Sequence, residues 1–451
     1  MSMFLSRRHL IAVAATLLSP ATIGQASPAI PDRRAGQQLA WLLDQLNGGF
    51  TGLVSADITP RFAPLYLSGL NEQGIIATFA ALNPVMAPAE VARFEGGVTD
   101  QHANALLKTS NGYWRIKLGL DLNAPHQIDD FFLEQIALPV PPERPRSWAG
   151  IESRFKRIAP TAAYLAAEIV DGNLRFISIF NADKQMPVAS SFKLYVLGAI
   201  AKQVAEGTLT WDTQIVVSDA LRSLPSGDLR YLEAGTHLPL EYVVEHMVFQ
   251  SDNTATDHLI HAAGREQVEA MLTAMGHSDP AANIPLLATR EWFAMRMRYS
   301  ANQIGDYLAA SVPERRAILA NDVDPIAATL TEDEPWPGPA ESDRLEWFAT
   351  AADLARAVAW LQPYAASSEM APVANALSLN PGVPYPPDDW AYVGFKEGYE
   401  TGLKVMTWLL QRQDGRWFTL IGMIHDETKE IDGPQLKVMM DAAVTLLSNY
   451  D

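Results

Sequence analysis

Two residues three positions apart, Ser190 and Lys193, have the types and the spacing of a nucleophile and its base. Side chains three apart on a helix lie on one face and can contact each other. A serine hydroxyl is a weak nucleophile until a base accepts its proton, and a lysine becomes that base when burial or a neighbouring cation lowers its pKa. Lys193 opens the apolar run 194–201, so we expect it to be buried beside a partner. A helix start at Ser190 would also offer unpaired backbone N–H groups to an oxyanion.

The S-x-x-K pattern is short, and the chain contains a second copy, Ser153 to Lys156. In isolation, either copy is also explained by an N-cap serine followed by a lysine that extends to solvent. The second copy has no hairpin before it, and Pro160 limits any helix after it, so we interpret it as a chance match.

Two further polar groups follow in the chain. Ser251-Asp252-Asn253 lies between two helix-like segments, and Lys396-Glu397-Gly398 lies on a predicted strand, VGFKEG. S-x-x-K, S-D-N and K-x-G in this order resemble the three motifs of the penicillin-recognising serine hydrolases, above all the class A β-lactamases. The resemblance covers about residues 160–451. It implies a β-lactamase/transpeptidase-like fold, in which helices flank an antiparallel sheet.

The resemblance implies a role for each matching side chain. Ser190 would be the acylated nucleophile, and Lys193 would be its general base or proton relay. Ser251 would pass the proton to the leaving group, helped by Lys396, which would also attract a substrate carboxylate. Asn253 would hold a substrate amide carbonyl.

The same resemblance implies that backbone groups complete the substrate site. The N–H groups of Ser190 and Tyr399 would form the oxyanion hole. Gly398 would line the site between Lys396 and Tyr399, and Asp252 would fix the loop of the second motif.

Two departures from the family pattern concern the reaction. Glu397 stands where the family has a small hydroxyl residue. Alternation with Lys396 along the strand predicts that the Glu397 side chain points away from the site. Tyr399 is also bulkier than the family pattern leads us to expect at its position. The family's deacylating glutamate lies in a loop with the pattern E-x-x-L-N, which has no match between the second and third motifs. Glu291 is the nearest candidate, but it is also explained as a first-turn residue of a helix capped by Thr289. We therefore predict acylation without fast turnover of β-lactams.

Composition limits the class of partner. A chain of 451 residues, 48% of them hydrophobic, suffices for two ordinary domains. The formal net charge of −18 argues against nucleic acid and anionic membrane surfaces as partners. The absence of cysteine excludes disulfides, a thiolate nucleophile and Cys-based metal sites. His258 and His261 lie three apart without a third ligand, so we interpret them as structural and predict neither a metal nor a cofactor.

Residues 1–26 have the features of an export signal. Arg7-Arg8 precedes a short apolar stretch, Leu10 to Leu18, and a small-residue exit at Gln25-Ala26, which resembles a twin-arginine signal. The apolar stretch is too short to span a bilayer, although an anchor left uncleaved is the alternative. We predict a periplasmic or secreted protein with no stable membrane span after signal removal.

The proline-rich stretch 139–148, PVPPERPRSW, predicts a linker between two domains. Before it, residues 36–138 change from helical to extended patterns with a hairpin signal at Asn111-Gly112, which predicts a smaller α+β domain. After it, residues 149–451 show two strands around Asp171-Gly172, many helices, three strands and a terminal helix. This order predicts an α+β domain whose antiparallel sheet is assembled from both ends.

The two-domain organisation resembles a small family of bacterial serine hydrolases whose first domain is similar to the cone-shaped steroid-isomerase and nuclear-transport-factor fold. Residues 37–138 contain no acid or tyrosine that we predict to be catalytic, so a ligand pocket, an interface and a spacer all stay open. Three functions remain: a hydrolase of β-lactams or related amides and esters, a D,D-carboxypeptidase acting on peptidoglycan, and a non-catalytic binding protein. The sequence leaves the physiological substrate and the oligomeric state open.

Overall fold

The computed structural model contains two compact units, one within residues 1–143 and the other within 144–383 and 388–451. The predicted export signal and residues 139–143 of the predicted linker lie outside the described part of the chain. Arg144, also in the predicted linker, belongs to the second unit, where it pairs with Asp441 at 3.1 Å. The structure describes residues 28–48, 52–69, 71–94, 98–109, 112–122, 124–136, 144–331, 336, 338–383 and 389–451.

The first unit consists of helices followed by an antiparallel sheet. Its first helix places leucines at 39, 42, 43 and 46 on one buried face, the spacing of an amphipathic helix. The sheet pairs its four strands in chain order. The elements are α1 (Arg34–Gly48), α2 (Ser55–Ile58), α3 (Pro64–Gly69), α4 (Glu72–Met86), β1 (Glu90–Phe94), β2 (His102–Thr109), β3 (Gly112–Leu120) and β4 (Ile128–Ile136).

The second unit begins and ends with a helix, and its strands come from both ends of its sequence. Most of its helices lie between the second and the last three long strands. Short 3-10 turns join several of them, and a π-helical turn, Leu319–Val323, joins two. The elements are α5 (Trp148–Ile158), β5 (Thr161–Val170), β6 (Asn173–Phe180), β7 (Met186–Pro187), α6 (Lys193–Ala205), β8 (Gln214–Val216), β9 (His237–Pro239), α7 (Leu240–Phe249), α8 (Asn253–Ala263), α9 (Arg265–Ala274), α10 (Thr289–Arg298), α11 (Ala301–Ala309), α12 (Val312–Ile318), α13 (Asp324–Ala327), β10 (Phe348–Ala349), α14 (Ala351–Ala365), α15 (Ala371–Ser378), β11 (Trp390–Glu400), β12 (Leu403–Arg412), β13 (Trp417–His425) and α16 (Gly433–Ser448).

The central sheet of the second unit is antiparallel, in the order β11-β12-β13-β5-β6. One tight turn sets a hairpin of this sheet: Asp171 and Gly172 join β5 to β6, both with the positive φ that such turns require. Strands β5 and β13 are buried along almost their whole length, which requires cover on both faces of the sheet. Helices α5, α14 and α16 supply that cover. The fold class predicted from the sequence, an α+β domain with an antiparallel sheet flanked by helices, is therefore confirmed.

Two features of this unit position the residues of the sequence motifs. Strand β11 is at one edge of the sheet, and its open edge contacts the 3-10 turn Ala189–Phe192. That turn leads directly into α6, whose first nine residues, Lys193 to Ala201, are all buried. Helix α6 packs against α8, the helix that follows Ser251-Asp252. Among the described residues, none of the helices has both the length and the apolar character needed to cross a bilayer.

Candidate active site

Ser190 lies in the 3-10 turn Ala189–Phe192, held between two parts of the second unit. On one side, Val188 N donates to Trp347 O at 2.8 Å, and the Phe192 ring stacks on Trp347 with centroids 4.0 Å apart. On the other side, Gly398 of β11 approaches so closely that a Cβ there would lie 2.1 Å from Val188 O. The turn that carries the predicted nucleophile is thus fixed from both sides, with its serine half-buried.

Backbone strain is concentrated at the same place. Ala189 has φ +43° and Ser251 has φ +57°, conformations in which an L residue is disfavoured by about 1–2 kcal/mol. Ala189 directly precedes Ser190, and Ser251 is the first serine of the second motif. Strained backbone of this kind persists only where the surroundings fix it, and it is common at functional sites.

Lys193 is completely buried, and its amine lies among oxygen atoms of the second motif. Lys193 Nζ is 2.6 Å from Ser251 O, 2.7 Å from Asn253 Oδ1 and 3.3 Å from Ser251 Oγ. A neutral amine has two N–H donors and one lone pair. The two carbonyl-type oxygens accept the two N–H bonds, which leaves the lone pair free to accept a proton from a hydroxyl.

Ser251 Oγ lies between two lysine amines. It is 3.3 Å from Lys193 Nζ and 3.0 Å from Lys396 Nζ, and Lys396 Nζ also donates to Glu397 O at 2.7 Å. The three side chains come from α6, from the residue pair before α8 and from β11. The fold therefore brings together Lys193, Ser251 and Lys396, which the sequence placed 203 positions apart from first to last.

Burial lowers the pKa of both lysines. The pKa of Lys193 lies well below its usual value because the amine is removed from water and because Lys396 is close by. Burial lowers the pKa of Lys396 to about 7, although Glu397 acts in the opposite direction. The lowered pKa favours the neutral form of Lys193, which can accept a proton, and near neutral pH Lys396 exists in both its charged and its neutral form.

The structure does not bring the Ser190 hydroxyl into a hydrogen bond with Lys193. Within the described residues, that hydroxyl forms no hydrogen bond to any side chain or backbone group, and the Lys193 amine is directed at Ser251 and Asn253 instead. Ser190 and Lys193 are still joined by the turn itself, since Lys193 N donates to Ser190 O. Catalytic hydrogen bonds are often long before a substrate binds. In this structure, the backbone of the turn sets the position of Ser190.

Asn253 and Asp252 hold the loop around Pro225-Ser226. Asn253 Nδ2 donates to Pro225 O at 2.7 Å and to Leu224 O at 3.2 Å, so both of its amide donors are used within the protein. Asp252 accepts from Leu229 N at 2.9 Å and from Ala255 N at 2.8 Å, the latter as the N-cap of α8. Asn253 would have to exchange a loop carbonyl for a substrate carbonyl to fill the role that the resemblance implies.

The third motif presents alternate side chains on opposite faces of β11. Lys396 and Gly398 are buried toward the turn that carries Ser190, while Glu397 forms an ion pair with Lys404 of β12. Tyr399 is 47% exposed, and Lys404 Nζ lies 5.3 Å from the centre of its ring. Glu397 therefore points away from Lys396, and the bulk of Tyr399 extends to the surface.

Glu291 is occupied by structural contacts. Its carboxylate accepts from Ala288 N at 2.8 Å and from Arg265 Nη2 at 2.7 Å, and the side chain is buried. The predicted cap is wrong by one residue: Ala288 is the N-cap of α10, and Thr289 is its first helical residue. The reason is that the Thr289 hydroxyl bonds to Asp257 at 2.8 Å and so is not available to cap its own helix.

His258 also has structural partners on both ring nitrogens. Nε2 accepts from Ser218 N at 2.9 Å, and Nδ1 lies 2.7 Å from Thr254 O. His261 is exposed on the same helix. The part of the chain that the structure describes contains no cluster of three or more His, Cys, Asp or Glu side chains arranged to hold a metal ion.

Two carboxylates near the motifs, the half-buried Glu400 and the buried Glu346, were missed by sequence reasoning. Glu400, at the end of β11, is on the same face as Lys396 and Gly398, and it interacts electrostatically with Lys193. Glu346 precedes Trp347, the residue that holds the Ser190 turn, and interacts electrostatically with Glu400. The alternation of side chains along β11 was a signal for Glu400, whereas the chain carried none for Glu346, because only tertiary packing brings it there.

Comparison with known proteins gives one family match and several similar solved structures. Residues 158–325 match the family model described as the β-lactamase enzyme family. This segment is less than half of the chain; it contains the first two motifs and ends before the third. No curated protein matches the sequence.

The similar solved structures are distant in sequence. A β-lactamase from Sphaerobacter thermophilus is 20% identical, with 67% of this chain and 98% of that chain covered and a TM-score of 0.46. A class A β-lactamase from Bacteroides cellulosilyticus is 17% identical, with 67% and 96% covered and a TM-score of 0.45. A mutant of PBP-A, in an acyl-enzyme complex with penicillin G, is 15% identical, with 69% and 100% covered and a TM-score of 0.43. The family match and the sheet described above give the second unit a β-lactamase/transpeptidase-like fold.

Proposed function

We propose that the second unit is a serine hydrolase that acts through an acyl-enzyme on Ser190, with β-lactams or related amides and esters as substrates. One observation carries the proposal: the Ser251 hydroxyl lies 3.3 Å and 3.0 Å from two buried lysine amines, beside the fixed turn that carries Ser190. Structural lysines are rarely buried in pairs without a carboxylate between them, because burial of each charge is costly. A proton relay through Ser251 explains why both amines are buried next to its hydroxyl.

In the proposed acylation, Ser190 Oγ attacks the substrate carbonyl as its proton leaves for Lys193, directly or through Ser251. The oxyanion forms beside the N–H groups of Ser190 and Tyr399, at the open edge of β11. Ser251 then delivers a proton to the leaving nitrogen or oxygen, and Lys396 attracts a substrate carboxylate. Asn253 holds a substrate carbonyl after its amide is released by the loop.

Mass spectrometry of the intact protein after incubation with benzylpenicillin and, separately, with a neutral aryl ester tests this proposal. The expected result is one acyl group on Ser190, absent from Ser190→Ala. Ser153→Ala is the matched control, since it alters the second S-x-x-K copy on the surface helix α5 and should retain the adduct. An adduct that persists in Ser190→Ala would contradict the proposal, and complete absence of an adduct would favour the binding protein. Release of D-alanine from a D-Ala-D-Ala peptide would identify the carboxypeptidase instead.

For the first unit, we propose the steroid-isomerase and nuclear-transport-factor type of fold. The support is its order of elements, α1 to α4 followed by a four-stranded antiparallel sheet, with α1 packed on β2 and β3. An experimental structure of residues 28–136 would test it, and a flat sheet without an enclosed concave face would contradict it.

We also propose that the protein is exported to the periplasm or the exterior. The support is the arginine pair and apolar stretch at residues 7–18 of the sequence. Replacement of Arg7 and Arg8 by lysine should retain the protein in the cytoplasmic fraction, and unchanged export would contradict a twin-arginine signal.

A further inference from the structure

Two carboxylates near the site are not part of the three motifs: Glu346, which is buried, and Glu400, which is half-buried. Glu400 is the last residue of β11, two positions after Gly398 and four after Lys396, so its side chain is on the face of the strand that meets the Ser190 turn. Lys193 and Glu400 each influence the pKa of the other. Glu400 therefore lies on the active-site side of the sheet edge.

The contacts of Glu400 hold its carboxylate without neutralising it. Trp336 Nε1 donates to Glu400 Oε2 at 3.1 Å, and the Trp336 ring packs edge-on against Phe293 with centroids 5.0 Å apart. No ion pair of Glu400 occurs among the described residues. One oxygen thus accepts a hydrogen bond from an indole, and within the described part of the chain the other oxygen accepts none from the protein.

Glu346 lies in the interior, next to the residue that holds the Ser190 turn. Its side chain is only 5% exposed, and its Oε1 accepts from Trp347 N at 3.3 Å. The Trp292 side chain also donates a hydrogen bond to this carboxyl group. Glu346 therefore has structural partners of its own, and it acts on the site through its charge interaction with Glu400.

The two carboxyl groups differ in charge at neutral pH. Burial, with a contribution from Glu400, raises the pKa of Glu346 to about 8, so Glu346 is mostly protonated. Burial raises the pKa of Glu400 to about 7, while Trp336, Arg296 and Lys193 act in the opposite direction. Glu400 is therefore the member of the pair that can accept a proton near neutral pH, and a base with a pKa near the working pH is the most effective.

We propose that Glu400 is the general base that activates water for hydrolysis of the acyl-Ser190 ester. This inference rests on the proposed function and adds the deacylating carboxylate that the sequence lacks in its usual loop. Two other glutamates near the motifs have structural partners: Glu291 accepts from Ala288 N and pairs with Arg265, and Glu397 pairs with Lys404 on the other face of β11.

In the proposed hydrolysis, the water oxygen forms a bond to the acyl carbonyl carbon while one water proton passes to the Glu400 carboxylate. The tetrahedral intermediate then collapses, the bond between the acyl carbon and Ser190 Oγ breaks, and Glu400 returns its proton to Ser190 Oγ. The second water hydrogen leaves with the product carboxylic acid, and no oxidant, reductant or metal takes part.

Rapid-quench mass spectrometry of the full chain with benzylpenicillin tests this step, because it measures the rate of formation of the acyl-enzyme and its lifetime separately. We expect Glu400→Gln to form the acyl-enzyme at a rate within about three-fold of wild type and to hydrolyse it on the order of 10²-fold more slowly. Glu206→Gln is the matched control, since it removes a surface carboxylate of the same unit that pairs with Lys202, outside the three motifs. Its acyl-enzyme lifetime should equal that of wild type.

The pH profile distinguishes a base from a merely structural carboxylate. Hydrolysis by wild type should increase as pH rises through about 7, and Glu400→Gln should lose this dependence. The groups that face Glu400 and also titrate or carry charge are Glu346, Arg296, Lys193 and Tyr399. The pH profile of acyl-enzyme hydrolysis in Glu346→Gln shows how much of the pH dependence comes from Glu346. If Glu400→Gln fails to fold, Glu400→Asp replaces it, with the expected result that hydrolysis is slower but still pH-dependent.

The outcomes separate this inference from the proposed function. Absence of an adduct on wild type would contradict the proposed function and this inference with it. A wild-type adduct with an equal lifetime in Glu400→Gln, or one that never hydrolyses, would overturn the role of Glu400 alone. A longer lifetime in Glu346→Gln but not in Glu400→Gln would assign the base to Glu346 and would also overturn the proposal.

Discussion

Lys396 Nζ lies 3.0 Å from Ser251 Oγ, at the end of a series of contacts that begins at Lys193 Nζ. The hydroxyl between the two amines can donate to one of them and accept from the other. A proton taken up by Lys193 can therefore leave through Ser251 without a large movement of any side chain. This arrangement leads to predictions that separate the proton relay from the binding of substrate.

Ser251→Ala should slow acylation by benzylpenicillin by about 10²–10⁴-fold, because the hydroxyl that links the two amines is removed. Ser191→Ala is the matched control: Ser191 is completely buried next to Ser190, and its hydroxyl has no hydrogen-bond partner among the described residues. Stopped-flow measurement of acylation compares the two variants. Equal rates in both would show that Ser251 does not transfer the proton.

The pH dependence of acylation should differ between anionic and neutral substrates. Burial lowers the pKa of Lys396 to about 7, so its positive charge is present below that pH and is lost above it. Acylation by an anionic penicillin should therefore weaken as pH rises through about 7, because the attraction to the substrate carboxylate is lost.

A neutral aryl ester should not show this decrease, since it carries no carboxylate. Its acylation should instead rise with pH as Lys193 loses its proton, and then remain level. The second-order rate constants of the two substrates, measured between pH 5 and 9, give the comparison. Identical profiles would mean that Lys396 does not bind the substrate carboxylate.

Burial of Lys396 should also be visible in the stability of the fold. Its folded pKa is about 7, while in the unfolded chain it is about 10.4, so the unfolded state binds more protons between these values. Stability should therefore rise with pH across this window, and the cost of burial is largest at and below pH 7. Lys396→Met, which keeps the length of the side chain, should raise the free energy of unfolding by about 1–4 kcal/mol at neutral pH. Urea unfolding of wild type and Lys396→Met at pH 7 and pH 9 measures this increase in the free energy of unfolding. An increase that is as large at pH 9 as at pH 7 would contradict an origin in the burial of the Lys396 charge.

The sequence predicted the motifs and the assembly of the sheet better than it predicted the contacts inside the site. S-x-x-K, S-D-N and K-x-G are short local strings, and the strand and turn signals around Asp171-Gly172 are local too, so they can be recognised without a fold. The role of Trp347 could not be predicted, because it depends on the pairing of β10 with β7, more than 150 positions earlier in the chain. The position of Glu346 near the motifs could not be predicted either, because it too depends on tertiary packing.

Hydrogen-bond competition explains the remaining differences. Thr289 has the side chain of a helix cap, but Asp257 and Ser223 bind its hydroxyl at 2.8 Å each. Asn253 has the amide that the resemblance assigns to substrate, but loop carbonyls occupy its donors. Sequence patterns give the capacity of a side chain to bond, and tertiary structure decides which partner is nearest.

Gly398→Ala should disable acylation through geometry alone. A Cβ at position 398 would lie 2.1 Å from Val188 O and 3.0 Å from Ser191 N, so the turn that carries Ser190 must shift. Overpacking of this kind costs about 1–3 kcal/mol, and displacement of a nucleophile by about 1 Å can cost on the order of 10²-fold in rate. Gly338→Ala is the control, because no atom lies within 4 Å of the added Cβ and the residue is in the same unit. Thermal unfolding measures the cost of overpacking, and acylation by the neutral ester, which has no carboxylate for Lys396 to attract, measures the effect on rate. A Gly398→Ala variant with wild-type acylation would mean that β11 does not set the position of Ser190.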